Sequence, residues 1–397
     1  MPQSRLKWLQ WRGKSNEVMG TKLPESLTDY CALIPIYFLP LSASVDYSPM
    51  PSVSIIVPCY NEQKTIRLLL DAIAYQTYPQ QEMEVIIADG MSTDRTREEI
   101  AQFQKTNPGL AIKIVDNPKR HIPSALNRAL ETTCGQFIVR LDAHAVPAKD
   151  YVARCVEALQ TGRGDSVGGI WQIVPGQSHL GNGTTPGGKG QRPQTAWLPR
   201  AIAVAAAHPL GVGDAHYRYA THPQYVDTVP FGAFRRELVE KIGPFDEGLL
   251  TNEDYEFNAR IRQSGGRIWL DPAIRSTYFA RASLSALARQ YWRYGYWKSQ
   301  MLRRYPETIR WRQALPPVFV LSLMIFALLA IPFVWARWLL IVELSFYIFV
   351  LLAASLQTAL KKRDLALIPG IPLAIATMHL CWGSALLWSF AFKRPRV

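Results

Sequence analysis

Apolar and polar positions alternate along residues 51–150 with two different periods. Between short apolar runs, apolar residues recur every three or four positions, as over residues 66–73, and this spacing predicts helices. Strands that alternate with helices form a mostly parallel sheet with both faces covered, so the pattern predicts an α/β domain. The apolar runs that predict its strands are 53–58, 83–89, 112–117 and 136–142.

Polar residues follow each of these predicted strands. Ligands bind an open α/β sheet beyond the carboxyl ends of its strands, so we expect a binding site at this edge. The segments that would form it are PCYNE (58–62), ADGMSTD (88–94), DNPKR (116–120) and LDAHA (141–145).

The apolar pattern becomes nearly continuous after residue 314. Segments 315–335, 338–360 and 365–392 are each as long as the roughly 20 residues that a helix needs to cross a bilayer. Three such segments in succession predict about three transmembrane helices over 314–392. Residues 276–313, which mix Arg with aromatic residues, predict basic amphipathic interfacial helices, and residues 1–50 predict a membrane-surface segment.

Basic residues around these segments predict their orientation. Cytoplasmic flanks of membrane helices are rich in Lys and Arg, and 276–313 carries seven Arg and Lys298. We therefore expect a multi-pass protein of the cell inner (plasma) membrane with its α/β domain in the cytoplasm. Three spans would place Lys393, Arg394 and Arg396 outside, against this tendency, so the third segment is either a span or a re-entrant segment.

The formal charge of +13 over 397 residues indicates an anionic partner. Nucleic acid, an anionic membrane surface and phosphorylated small molecules all fit this charge. We expect no nucleic-acid partner, because the basic cluster adjoins a membrane segment and no recognition motif is present. The five cysteines are scattered without a CxxC pair, which disfavours a disulfide framework or a zinc ribbon.

Two short segments carry candidate chemistry. Asp142 and His144 are alternate residues at the end of a strand, so both side chains can reach one cation, Mn²⁺ or Mg²⁺. Glu253 and Asp254 occupy a helix start, where Asp254 can act as a general base whose pKa Glu253 raises. Each segment also has a purely structural interpretation. Asp142 and His144 can cap a turn, and Glu253 and Asp254 can be acids that the helix dipole favours at a helix start.

Two further segments are weaker candidates. In RQYWRYGYWK (289–298), Arg293 can reach a diphosphate, although the same pattern is typical of a helix lying on a membrane. The Gly- and Pro-rich stretch 175–193 contains GxxxxGK at 183–189, but Gly190 stands where a phosphate-binding loop has Ser or Thr. We interpret this stretch as a surface loop.

Five segments in register resemble one known family. SVSIIVPCYNE, IADGMSTDRT, RLDAHA, NEDYEFNARI and QYWRY, in this order, resemble the inverting family 2 glycosyltransferases with a GT-A fold. Among these, the similarity is to membrane-associated glucosyltransferases of succinoglycan-type exopolysaccharide biosynthesis. The resemblance covers about residues 51–300 and implies a GT-A glycosyltransferase domain over 51–275.

The resemblance also implies roles for individual residues. Asp254 matches the base, next to Glu253, and Asp142 with His144 match the metal-binding motif. Phe231 and Gly232 match the region that leads to the acceptor site. The residues that would bind the nucleotide-sugar donor are Pro58, Tyr60, Asn61, Glu62, Asp89, Asp142, Gln290 and Arg293, with Asp89 on the uracil ring.

The reaction that the resemblance implies is a metal-dependent, inverting hexosyl transfer at the cytoplasmic membrane face. The donor would be a UDP-sugar, carrying glucose or a similar hexose, and the acceptor a polyprenyl diphosphate-linked saccharide in cell-surface glycan synthesis. One alternative is a processive polysaccharide synthase, which would need more spans and a Trp where Tyr294 stands. Another is a membrane scaffold or transporter subunit. Transport would be favoured by ionisable residues within the apolar segments, and these segments offer only Glu343 and His379.

Overall fold

The computed structural model describes residues 51–176 and 196–392. The predicted membrane-surface segment 1–50, the GxxxxGK stretch 183–189 and the basic residues from Lys393 onward lie outside these described residues.

The first half of the domain alternates strands with helices as the apolar pattern predicts. Its elements are β1 Val53–Cys59, α1 Ile66–Ala74, the 3-10 helix Gln80–Glu82, β2 Met83–Asp89, α2 Thr96–Thr106, β3 Ala111–Asp116, α3 Ile122–Thr132 and β4 Phe137–Arg140. The four strands are parallel and lie in the order β3-β2-β1-β4 within a nine-stranded sheet. Each strand begins and ends within two residues of its predicted bounds.

The second half of the sheet is mixed, so the prediction of a mostly parallel sheet is right only for the first half. Its elements are β5 Val146–Pro147, α4 Tyr151–Gln160, β6 Ser166–Val174, α5 Trp197–Ala205, α6 Pro209–Val212, the 3-10 helix His216–Arg218, β7 Gln224–Val226, β8 Ala233–Arg235, α7 Arg236–Ile242, α8 Glu253–Gln263 and β9 Ile268–Phe279. Strand β8 runs antiparallel to both β4 and β6. Strands β6 and β9 are parallel, and β5 and β7 are antiparallel to β9.

Two apolar cores cover the two faces of the sheet. Ile55 and Val57 of β1 pack with α1, α2 and α4 on one face, and Ile56 packs with α3, α7 and α8 on the other. Successive strand residues point to opposite faces, which explains why β1 is buried along its whole length. Because helices occupy both faces, a ligand has access only at the strand ends.

The antiparallel strand β8 brings a distant part of the chain to that edge. Ala233 of β8 pairs with Val139 of β4, so the residues just before β8 lie at the carboxyl end of β4. These residues are Phe231 and Gly232. Strand order therefore places the predicted acceptor segment beside the loop that follows β4.

Four helices follow the sheet: α9 Leu284–Leu302, α10 Trp311–Leu329, α11 Val334–Lys362 and α12 Leu367–Ala391, with a 3-10 helix at Pro306–Thr308. Helices α10, α11 and α12 are long and apolar enough to cross a membrane. Within the most apolar 18-residue stretch of each helix, the share of residues that is buried is 11% in α10, 11% in α11 and 44% in α12. Helix α12 is thus much more enclosed by protein than the other two.

The neighbour that encloses α12 is α9, the helix predicted to lie on the membrane. A Cβ added at Gly295 would lie 2.3 Å from the Trp382 carbonyl oxygen, so the two backbones are in close contact there. One to two turns further along both helices, the hydroxyls of Ser299 and Ser389 are hydrogen-bonded. Both contacts advance in the same direction, which shows that α9 and α12 run parallel.

Candidate active site

A cleft of about 230 Å³ opens at the carboxyl edge of the parallel strands. Its walls come from all four segments that the sequence predicts: 58–62, Gly90, 117–125 and 142–144. Of the predicted donor and metal ligands, those that line it are Pro58, Tyr60, Glu62, Asp142 and His144.

Beside this cleft, one guanidinium joins three acids. Arg140 ends β4, and only 3% of its side chain is exposed. It donates hydrogen bonds to Asp142 at 3.1 Å, to Glu253 at 2.8 Å and to Asp254. Three carboxylates stabilise a buried cation that would otherwise be costly. Asp142 and Asp254, which are 112 positions apart in the sequence, therefore lie on either side of one side chain.

The environment of Asp254 suits a proton acceptor. Burial raises its pKa, the charge of Arg140 lowers it, and the charges of Glu253 and Asp142 raise it, to about 7 in sum. The amide of Phe231 donates to its second carboxylate oxygen at 3.4 Å. A small cavity of about 10 Å³ adjoins Asp254, Arg140 and Gly232 and has room for about one water-sized group.

Phe231 is held in an unusual backbone conformation. Its φ of 54° lies in the left-handed region, which bulky residues rarely adopt. Its carbonyl accepts a hydrogen bond from the Tyr151 hydroxyl at 3.2 Å, and its amide points at Asp254. Gly232 follows, where a Cβ would lie 2.8 Å from the Ser166 hydroxyl oxygen. The two predicted acceptor residues therefore lie directly against the predicted base.

Asp142 and His144 have the chemistry of a divalent-metal site. Both side chains face the cleft, and His144 Nδ1 lies 3.2 Å from Glu62 Oε1. Burial lowers the pKa of His144, but Glu62 and Asp142 outweigh this effect and raise it. Within the described residues, no group of three or more His, Cys, Asp or Glu side chains could hold a metal unaided. A carboxylate and an imidazole fit Mn²⁺ or Mg²⁺ when donor phosphate oxygens supply further ligands.

Two predicted donor ligands, exposed Asn61 and buried Asp89, are not part of the lining of the cleft. Asn61 has a φ of 54°, and its side-chain oxygen accepts from the Thr93 amide at 2.8 Å. The Asp89 side chain is 0% exposed and accepts hydrogen bonds from Ser92 and, at 2.6 Å, from Arg97. Both residues fix the loop after β2, so their interactions in this structure are with protein.

The QxxR segment on α9 is also arranged differently from the expectation. Gln290 is buried and donates to the hydroxyls of Tyr278, at 2.9 Å, and Tyr294, at 2.8 Å. Its side-chain oxygen accepts from Arg281 at 3.3 Å. The charge of Arg281 is close enough to oppose protonation of His144, although Arg281 and Arg293 are both exposed and neither lines either cavity. Arg120 lines the cleft and Arg140 lies beside it, and Arg281 is a further arginine whose charge acts on His144.

Several residues at the site were absent from the sequence prediction. Arg140 was recognisable as a single basic residue inside an apolar strand. Asn117, Arg120 and His121 lie in or next to DNPKR, which the sequence placed at the correct edge without assigning a role to any residue. The guanidinium of Arg120, a residue with a φ of 56°, lies 5.9 Å from the centre of the Tyr60 ring.

Comparisons with known proteins identify the family and fold of the chain. The family model for Glycosyl transferase family 2 matches residues 54–243. The chain is 32% identical over 340 residues to the succinoglycan biosynthesis protein ExoA of Rhizobium meliloti (strain 1021), covering 84% of this chain and 93% of that protein.

A second relative comes from Methanococcus voltae and is named a dolichyl N-acetyl-alpha-D-glucosaminyl phosphate 3-beta-D-2,3-diacetamido-2,3-dideoxy-beta-D-glucuronosyltransferase. It is 27% identical over 334 residues, which are 83% of this chain and 94% of that protein. The fold is similar to that of a mannosyltransferase from Pyrobaculum calidifontis solved with GDP-Man and Mn²⁺, with a TM-score of 0.55, 20% identity, and coverage of 98% and 96%. The chain therefore belongs to glycosyl transferase family 2, with a GT-A-like domain and three C-terminal apolar helices.

Proposed function

We propose that this glycosyltransferase is an inverting enzyme that moves glucose or a similar hexose from a UDP-sugar to a lipid-linked saccharide. The observation that carries the proposal is the cluster of Arg140 with Asp142, Glu253 and Asp254, here called the Arg140 cluster. It links Asp254, a carboxyl group of raised pKa, to the Asp142 side of the cleft. The names of the relatives support the pathway, since one acts in succinoglycan biosynthesis and the other on a dolichyl-linked sugar phosphate.

In the proposed reaction, Asp254 accepts the proton of an acceptor hydroxyl. The hydroxyl oxygen then bonds to the anomeric carbon as the bond from that carbon to the donor phosphate oxygen breaks, so UDP leaves and the configuration inverts. A base with a pKa near 7 is well matched to this step at neutral pH. Arg140 keeps Asp254 oriented, and the Phe231 amide fixes its second oxygen.

The donor diphosphate would lie at the Asp142 end of the cleft. Asp142 and His144 would hold Mn²⁺ or Mg²⁺, which would supply positive charge against the phosphate oxygens. We propose that Arg281 adds a second positive charge there and that Gln290 holds it in place, because Arg281 is near His144. This assigns to Arg281 the role that the family pattern implied for Arg293.

For the membrane arrangement, we propose two spans, α10 and α11, and an in-plane helix, α12. The hydroxyl of Ser355 near the end of α11 donates to the Leu367 carbonyl at 2.9 Å, and Gly383 packs against Pro316 near the start of α10. A short connection, 330–333, joins the opposite ends of α10 and α11. These contacts support a position for α12 across the domain-side ends of both spans.

The charges of α9 support the same arrangement. Arg289, Arg293 and Lys298 lie on a helix that runs beside α12 for most of its length. A charged side chain at the centre of a bilayer costs at least about 2.5–3.5 kcal/mol. If α12 crossed the hydrocarbon core, α9 would carry these charges with it. We therefore propose that both helices lie at the cytoplasmic interface, next to a domain in the cytoplasm.

The decisive test is transfer by the full chain in native membranes. Radiolabelled UDP- and GDP-sugars are supplied with and without EDTA, and lipid and polymer fractions are counted. We expect label from a UDP-hexose in the lipid fraction only when the divalent metal is present, and none with Asp254→Asn. Label in long polymer would support a processive synthase, and no transfer from any donor would support a scaffold.

A further inference from the structure

The side chain of Arg218 is buried and has no acid partner. Arg218 ends the 3-10 helix His216–Arg218 and is 9% exposed. Its Nη1 donates to the Ala206 carbonyl at 3.1 Å, whereas its Nε is buried and unpaired. Within residues 51–176 and 196–392, no carboxylate lies at ion-pair distance from it, and the groups that raise its pKa against burial are tyrosines. A buried cation of this kind normally has an anionic partner.

Aromatic rings enclose this guanidinium. Its central carbon lies 5.1 Å from the ring centre of Trp171, 5.5 Å from that of Tyr217 and 6.0 Å from that of Tyr278. Trp171 and Tyr278 stack on each other at 4.3 Å and 3°. Ring faces stabilise a cation but accept no hydrogen bond from Nε, which has no partner among the described residues.

Other hydrogen-bonding atoms near Arg218 also lack partners among the described residues. The indole nitrogen of Trp171 is buried and unpaired, and so is the hydroxyl of Ser276. Ser276 is the register neighbour of Trp171 across β6 and β9. Buried polar atoms in proteins are nearly always satisfied. The Nε–H of Arg218, the indole N–H of Trp171 and the Ser276 hydroxyl are therefore three unpaired donors in one region of the structure, and an oxyanion accepts hydrogen bonds from all three kinds of group.

The location of the cluster narrows the choice of anion. On one side, the Trp171 ring lies 5.5 Å from the ring of Phe231, whose amide contacts Asp254. On the other side of Arg218 lie Ala206, whose carbonyl accepts from its guanidinium, and Tyr291, one of the tyrosines that act on its pKa. Ala206 follows α5 and Tyr291 belongs to α9, and both helices pack against α12. Arg218 is therefore one layer of side chains away from the proposed base, and α5 and α9 lie between it and α12.

We propose that Arg218 binds the phosphate group that joins a prenyl chain to the acceptor sugar. This inference rests on the proposed function and assigns a site for the charged part of the acceptor, separate from the donor diphosphate at Asp142 and His144. The cation and the unpaired donors match a phosphate, and the aromatic walls match the hydrocarbon that begins beside it. The cluster must open slightly to admit the phosphate, because the unpaired atoms are covered in this structure.

The test measures binding of farnesyl diphosphate and farnesol to the purified full chain in detergent micelles, with UDP present to fill the donor cleft. Farnesol has the same chain without the charge. We expect Arg218→Gln to weaken farnesyl diphosphate binding at least tenfold and to leave farnesol binding within twofold. Arg218→Lys, which keeps the charge but not the planar group, should show a smaller loss and provides a folded variant if Arg218→Gln is unstable.

Arg235→Gln is the matched control. Arg235 also stacks on a ring, at 5.0 Å from the centre of Phe137, and donates to a carbonyl, that of Leu159. The Arg235→Gln variant should bind farnesyl diphosphate and farnesol as the native protein does. Equal binding of farnesyl diphosphate to the native chain and to both Arg218 variants, or an equal loss for both probes, would overturn the proposal. Sugar transfer is measured separately, so this result is distinct from failure of the proposed function.

Discussion

At the scale of single residues, the site depends on one buried arginine. Arg140 ends β4, and Asp142 and His144 lie in the turn that follows, where the Ala145 amide donates to the Asp142 carbonyl at 2.8 Å and Asp142 accepts from Arg140. Glu253 and Asp254 complete the cluster from the first turn of α8. Removing the guanidinium would leave three adjacent carboxylates without compensation. We therefore regard Arg140 as a positioning residue for both the metal ligands and the base.

Asp254→Asn should abolish transfer without affecting donor binding. An amide cannot accept the acceptor proton, and loss of a general base lowers kcat by about 10²–10⁴-fold. The measurements are transfer rate and UDP binding, with UDP affinity expected within threefold of the native value. Because only ionised Asp254 is active and its pKa is raised to about 7, kcat/KM of the native enzyme should fall as pH decreases through 7.

The control for this variant is Asp246→Asn. Asp246 lies before α8 and, like Asp254, pairs with an arginine, in this case Arg304, but it lines neither cavity. It should keep the native rate and pH profile. A native profile that stays flat from pH 8 down to pH 5.5 would contradict the assignment of Asp254 as the base.

Arg281→Gln should reduce kcat more than Arg293→Gln does. Both arginines are exposed, but Arg281 is held by Gln290 and its charge acts on His144. Loss of a charged group that stabilises the leaving diphosphate costs about 10²-fold in kcat. Steady-state kinetics of Arg281→Gln, Arg293→Gln and the exposed control Arg289→Gln decide between the two assignments. A large loss for Arg293→Gln with a native rate for Arg281→Gln would restore the family expectation.

The sequence predicted the edge of the sheet where the cleft lies, but not every contact there. Motif order and strand periodicity were sufficient to place Tyr60, Asp142 and His144 in one cleft. Asn61 and Asp89 were predicted as donor ligands, yet both bind the loop 92–97. This difference depends on side-chain direction after a turn, which no periodicity encodes. Arg140 was missed because its partners come from α8, more than 100 residues later.

At the scale of elements, local patterns predicted the parallel strands and failed for the short ones. Strands β1 to β4 are mainly apolar and alternate with amphipathic helices, so their positions follow from the sequence alone. Strand β8 has only three residues, Ala233–Arg235, and gains its place between β4 and β6 by tertiary pairing. That pairing brings Phe231 and Gly232 to the base, so part of the acceptor region depends on long-range contacts.

The apolar helices show a second limit of sequence patterns. Length and composition make α10, α11 and α12 equally good candidates for membrane spans. They differ in what they touch, since α12 packs along α9 through Gly295 and Ser299. Gly295 allows the two backbones to approach closely, and a side chain there would clash with Trp382. Hydropathy reports how apolar a helix is and not whether protein or lipid covers it.

At the scale of the whole molecule, the proposed topology places every basic cluster on one side. The end of α11 carries Lys361 and Lys362, and the start of α10 follows Arg310, so both span ends next to the domain are positive. An in-plane α12 would keep residues after Phe392 on that same side. The positive-inside tendency is then satisfied by Lys393, Arg394 and Arg396 as well.

Membrane-impermeant maleimide labelling tests this topology in right-side-out and inverted vesicles. Native Cys134 is exposed on the domain and reports its side, while Cys59 and Cys155 are buried. In a chain with Cys31→Ser and Cys381→Ser, we expect Phe392→Cys to react in inverted vesicles together with Cys134. Pro332→Cys, in the connection between α10 and α11, should react only in right-side-out vesicles. Labelling of Phe392→Cys together with Pro332→Cys would mean that α12 crosses the bilayer, and the charges of α9 would then need another explanation.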